Sequence, residues 1–84
     1  MPRRRKTVAE KTFENPNWQP LEDLVGPNEC GDFMWMWREG AIEFYKHIWT
    51  RRYLLLDSEG RCYMRGPNGF HQTDVQAELK RVKE

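Results

Sequence analysis

Eight of the chain's eleven aromatic side chains fall between Phe33 and Tyr63, and that crowding decides where a core can form. Phe33-Met34-Trp35-Met36-Trp37 brings three rings into one short run, and Phe44, Tyr45, Trp49, Tyr53 and Tyr63 follow at close intervals. Each ring offers a large area to remove from water. A chain of 84 residues has room for one such core and no second domain. Aliphatic residues are sparse and 32% of the chain is charged, a balance that favours disorder when the net charge is high. Here the net charge is only +1, and the aromatic residues supply the missing burial.

Turn signals divide the aromatic region into strands. Arg38-Glu39-Gly40 separates the first run from Ala41-Ile42-Glu43-Phe44-Tyr45-Lys46-His47-Ile48. Trp49-Thr50 leads into Arg51-Arg52-Tyr53-Leu54-Leu55-Leu56, and Asp57-Ser58-Glu59-Gly60 into Arg61-Cys62-Tyr63-Met64. The pattern predicts an α+β fold built on a four-stranded antiparallel β-meander. Arg65-Gly66-Pro67-Asn68-Gly69 reads as a loop by composition. A short N-terminal helix is expected from Trp18 to Val25, with Pro20 near its first position and Gly26-Pro27 stopping it. A C-terminal helix is expected over about residues 74–83, where Val75, Leu79 and Val82 repeat at helical spacing. Thr73 is its N-cap candidate, with Gln76 at capping-box distance.

Two-residue turns at Glu39-Gly40, Trp49-Thr50 and Glu59-Gly60 would fix which side chains share a face. They pair Trp37 with Ile42, Trp35 with Phe44, Phe44 with Leu55 and Leu55 with Met64. Those residues, with Phe33, Tyr53 and Cys62, form the expected core, and the C-terminal helix is expected to pack on that one face. The other face then collects Met34, Met36, Tyr45, His47, Arg52, Leu54, Leu56, Arg61 and Tyr63. Four aliphatic or thioether side chains on an uncovered sheet face need a cover or a partner. The expectation is partial cover by the N-terminal segment through Phe13, Trp18, Leu21 and Leu24, with the remainder exposed.

Charge is partitioned along the chain. Residues 1–11 carry +4 from Arg3, Arg4, Arg5, Lys6 and Lys11 against Glu10; residues 12–43 carry −6; residues 44–65 carry +3. Residues 1–12 read as a disordered basic arm and residues 13–84 as a single small α+β domain. No apolar run is long enough for a membrane span or follows the basic start as a signal peptide would. That reading excludes a membrane partner and implies a cytoplasmic protein, in which Cys30 and Cys62 stay reduced.

Catalytic chemistry finds little support. Cys30, His47, Cys62 and His71 hold metal-ligand atoms, but no pair has the CxxC or HxxxH spacing that places two ligands on one local scaffold. Ser58 is the only serine and belongs to a turn, and Gly66-Pro67-Asn68-Gly69 lacks the Gly-Lys-Ser/Thr sequel of a phosphate loop. Neither a metal, a cofactor nor an enzyme activity is expected.

Binding is better supported. The face with Met34, Met36, Leu54 and Leu56, rimmed by Tyr45, His47, Arg52, Arg61 and Tyr63, has the composition enriched at protein interfaces. The chain therefore reads as a small non-catalytic module for protein–protein interaction or homodimerisation through that second sheet face. The alternative is sequence-tolerant nucleic-acid binding, with the tyrosines as stacking planes and Arg52, Arg61 and the arm residues Arg3, Arg4 and Arg5 on phosphate. Against it stand a sequence pI near 7.8 and the acidic block.

Overall fold

The computed structural model describes residues 11–84, so the expected roles of Arg3, Arg4 and Arg5 lie outside the described residues. The elements are β1 (Lys11–Thr12), α1 (Gln19–Cys30), β2 (Phe33–Glu39), β3 (Ile42–His47), β4 (Tyr53–Asp57), β5 (Cys62–Gly66), β6 (Gly69–Thr73) and α2 (Val75–Lys83). All strands pair antiparallel with their chain neighbours, in the order β1 to β6. The fold is α+β with an antiparallel sheet and two helices, as expected, but the sheet has six strands rather than four. Lys11 and Thr12, assigned to the arm, pair with Glu39 and Arg38. Residues 69–73 pair with β5 through a hairpin in which Gly66 faces Gly69. Gly69 sits at φ 111°, a conformation glycine adopts without a side-chain clash. The punctuation that marked a loop thus marks a tight turn, and Phe70-His71-Gln72-Thr73 is too polar to announce a strand.

Helix α1 starts with Pro20 in its first turn and kinks at Gly26 (φ 87°, ψ 161°), where the sequence signal placed its end. Past Pro27 the chain takes one further helical turn to Cys30. Helix α2 begins where expected, but its cap is Asp74, whose carboxylate accepts the Ala77 N–H at 2.8 Å. Thr73 stays in the sheet opposite Cys62 and cannot serve as the cap.

Both helices lie on one face of the sheet: it is the face expected for the N-terminal segment and the opposite of the one expected for α2. Leu21 of α1 and Val82 of α2 are fully buried against Tyr45, Leu54, Leu56 and Cys62, with Trp18, Leu24 and Val25 packed around them. The N-terminal segment does fold over Leu54 and Leu56 through Trp18, Leu21 and Leu24, and α2 completes the cover there, whereas Phe13 lies on the other face against Trp37. Full burial of each leucine contributes on the order of 1.5–3 kcal/mol. Phe44 faces Leu55 as expected, yet two slips of one residue redistribute the rest. A bulge between Trp35 and Trp37 pairs Trp35 with Tyr45 and Trp37 with Phe44, so Trp35 joins the helix side and Trp37 does not. At the β4–β5 turn Leu55 pairs with Tyr63 and Leu56 with Cys62. Among the described residues no helix is long and apolar enough to cross a membrane.

Candidate binding face

The face without helices is a sheet of aromatic rings. Trp37 stacks on Phe44 with centroids 5.0 Å apart and planes at 25°. Tyr53 and Phe70 meet Phe44 edge-on at 6.5 and 5.9 Å, and Phe13 reaches Trp37 at 6.1 Å. Ile42 and Leu55 are buried beneath the rings. The sheet pleat selects this set, because Trp37, Phe44, Leu55 and Tyr63 form one row across four strands.

The face's own cations cover much of this aromatic surface. Lys11 Nζ lies 4.6 Å from the Trp37 ring, Lys46 Nζ 5.8 Å from Tyr53, and the Arg65 guanidinium 4.9 Å from Phe70 and 5.6 Å from Phe44. Ring quadrupoles attract cations in that position. Beneath them Glu39 is buried, accepting the Trp37 indole N–H at 2.9 Å and an Arg65 N–H at 2.9 Å. At the far end of β4, buried Asp57 accepts the backbone N–H groups of Glu59 and Arg61 on one oxygen. Its other oxygen accepts from Arg61 Nε and the Tyr63 hydroxyl. Burial pushes the Asp57 pKa up, but these bonds, the Arg61 guanidinium first, hold it below the ordinary value. The same hydrogen bond raises the pKa of the Tyr63 hydroxyl.

A cleft opens where the sheet splits. The β4–β5 register comprises Leu55 with Tyr63 and Leu56 with Cys62; further toward the start of β4 the strands diverge, while β5 stays paired with β6. Arg81 of α2 reaches the gap and donates to the Tyr53 carbonyl at 3.2 Å. The resulting cleft has a volume of about 540 Å³. Trp37, Phe44, Tyr53, Leu55 and Tyr63 line it from the sheet, with Met64 and Arg65 from the diverging strand and Glu78 and Arg81 from the helix. Such a mainly aromatic concavity with few polar groups is what side-chain and small-ligand sites share.

The sequence-expected surface therefore divides. Tyr45, Leu54 and Leu56 are in the core and His47 is buried, so none of them offers a surface. The Tyr45 hydroxyl donates to the Asn17 carbonyl at 2.6 Å, and burial, reinforced by Glu43, raises its pKa above the ordinary value. His47 accepts the backbone N–H groups of Trp49 and Thr50 on Nδ1. Met36 occupies the bulge, half-buried against the open face, and Met34 is exposed opposite Lys46. Tyr63 lines the cleft. Arg61 is tied to Asp57, and Arg52 donates to the Arg81 carbonyl at 2.8 Å. Trp37, Phe44, Tyr53 and Leu55 are expected in a core, and Phe44 and Leu55 are indeed buried there while Trp37 and Tyr53 are only partly covered; Glu78 and Arg81 carry no site signal in the sequence. Met64's place on the cleft depends on strand divergence that no sequence pattern announces.

Among the described residues no three His, Cys, Asp or Glu side chains converge as a metal site would need. Cys30 and Cys62 are both free. Burial pushes the Cys62 thiol up to about 11, with Glu78 adding to the rise, and burial also raises the half-buried Cys30. A disulfide-exchange reagent at neutral pH is therefore expected to label Cys30 slowly and Cys62 only after unfolding. Equal native rates for the two thiols would contradict the placement of Cys62 in the core. Comparison of the chain with protein-family models, with curated proteins and with solved structures finds no match.

Proposed function

We propose that this protein is a small non-catalytic binding module that receives an apolar side chain of a protein partner in the β4–β5 cleft. The observation that carries the reading is the cleft itself, a concavity walled by rings and by Leu55 and Met64, with guanidinium groups at its mouth. Large apolar anchors seated in such pockets dominate binding at protein interfaces. Nucleic-acid stacking, the competing reading, needs uncovered ring faces. Here Lys11, Lys46 and Arg65 already lie over Trp37, Tyr53, Phe44 and Phe70, and Arg61 and Arg65 are neutralised by Asp57 and Glu39.

Selection of a displayed random-peptide library on the full chain tests the reading. Enriched peptides are expected to share a large apolar residue. Their affinity is expected to fall about tenfold or more in Met64→Glu, a change at a side chain 39% exposed that leaves the core intact. No enrichment, or enrichment indifferent to Met64→Glu, would contradict it. Saturable binding of single-stranded RNA or DNA that Tyr63→Ala and Arg65→Ala weaken would favour the competing reading.

A further inference from the structure

We infer that the occupant of the cleft is Trp49 of a second copy of the chain, exchanged reciprocally about a twofold axis. The inference rests on the reading of the cleft as a protein site and names its partner. Trp49 is 75% exposed, more than any other large hydrophobic residue described. It stands at the β3–β4 turn, and that turn is fastened from several sides. Nδ1 of buried His47 accepts the Trp49 and Thr50 N–H groups, and the Arg51 N–H donates to the His47 carbonyl at 2.9 Å. Arg51 is held at φ 67°, a left-handed conformation that only a well-determined turn retains in a residue other than glycine. Thr50 Oγ1 and Arg52 Nη1 donate to the Val82 and Arg81 carbonyls at the end of α2. The backbone that carries the indole is thus fixed before capture, so the ordering cost falls on the Trp49 side chain alone.

The cleft offers what an indole needs. Two of the three other indole N–H groups, those of the tryptophans in β2, donate to a buried glutamate: Trp35 to Glu43 at 2.7 Å and Trp37 to Glu39 at 2.9 Å. Glu78, 9% exposed on the cleft wall, repeats that provision. Its Oε1 accepts from Arg81, while its Oε2 accepts from no described residue. An incoming Trp49 Nε1–H would satisfy that oxygen while its ring packs against Tyr63 and Met64, lining side chains that no described cation covers. Knob and hole also stand side by side. Arg81 receives the turn through its carbonyl and lines the cleft with its side chain. One patch carrying both halves is self-complementary, the condition for a closed twofold pair rather than an open chain of subunits.

Two inserted indoles bury roughly 300–500 Å² of side chain, short of the about 1,200 Å² of a standard stable interface, so the dimer is expected to be weak. Arg51 and Arg52 bring like charges together, so it should hold or tighten as salt rises. Sedimentation equilibrium of the full chain from micromolar to millimolar concentration tests this. A reversible monomer–dimer equilibrium is expected, weakened about a hundredfold or more in Trp49→Ala and in Met64→Glu. Mixing the two variants should restore a heterodimer, because the pair keeps one knob and one hole; unchanged circular dichroism would show that both remain folded. A monomer at every concentration, a dimer indifferent to Trp49→Ala, no heterodimer, or dissociation by salt would each overturn the inference. Peptide enrichment that depends on Met64 in a chain that stays monomeric would overturn the inference alone and leave the cleft as a site for another protein.

Discussion

Leu54→Asp is expected to unfold the domain at room temperature instead of detaching a partner from an intact surface. Leu54 is 1% exposed and belongs to the cluster that Leu21, Tyr45, Leu56 and Val82 close. Truncating a buried leucine to alanine alone costs about 2–5 kcal/mol, and an unpaired carboxylate in that place adds several kcal/mol more. At roughly 0.05–0.15 kcal/mol per residue, the stability of a chain this small is comparable with that sum. Met64→Glu is the matched comparison, since it introduces the same kind of charge on the open side at an exposed position. Its melting temperature is expected to stay within a few degrees of the unsubstituted chain. Thermal melts followed by circular dichroism separate the two outcomes. A folded Leu54→Asp chain would mean that the helices do not cover this face.

Asp57→Asn is the second large effect, and it carries a pH signature. One carboxylate organises the β4–β5 turn by accepting four hydrogen bonds, from the Glu59 and Arg61 backbone, Arg61 Nε and the Tyr63 hydroxyl. An amide oxygen can keep the backbone pair. The amide nitrogen then faces the Arg61 donor, and a buried donor is left unpaired. The expected loss is about 1–3 kcal/mol near neutral pH. The folded-state pKa of Asp57 lies below its ordinary value of 3.8, so its ionised form stabilises the native state. That contribution is fully present above the unfolded-state pKa and is lost as pH falls through the folded-state value. The stability gap between the two proteins should therefore be widest near neutral pH and narrow as pH drops below about 4. A gap constant with pH would assign the effect to shape rather than to charge.

The elements were more legible than the faces. Helix α2 announced itself because Val75, Leu79 and Val82 keep one side apolar, and Phe44 met Leu55 because β3 and β4 close in a register that the length of the turn preserves. Which side of the sheet the helices cover was not readable, for a physical reason. Phe33-Met34-Trp35-Met36-Trp37 and Leu54-Leu55-Leu56 are apolar at both parities, so neither run says which side faces in. A bulge at Met36 and a single-residue slip at the Asp57 turn then decide the outcome. Asp57 could have signalled the second slip, since an aspartate four residues before an arginine, with Gly60 between them, is suited to a turn wider than two residues. The same slip puts Tyr63 on the face of Phe44 and Leu55 and Cys62 on the helix side, and the cleft exists because the strands diverge just beyond it.

Hydroxyl-radical footprinting of the native chain, read by mass spectrometry at individual side chains, tests most directly which face is open. Met64, Tyr53, Tyr63 and Phe70 are expected to be modified readily, and Tyr45, Leu54, Leu56 and Cys62 to be protected until the protein unfolds. Modification of Tyr45 and Leu54 as fast as Tyr53 and Tyr63 would place the helices on the other side of the sheet and remove the cleft from the account.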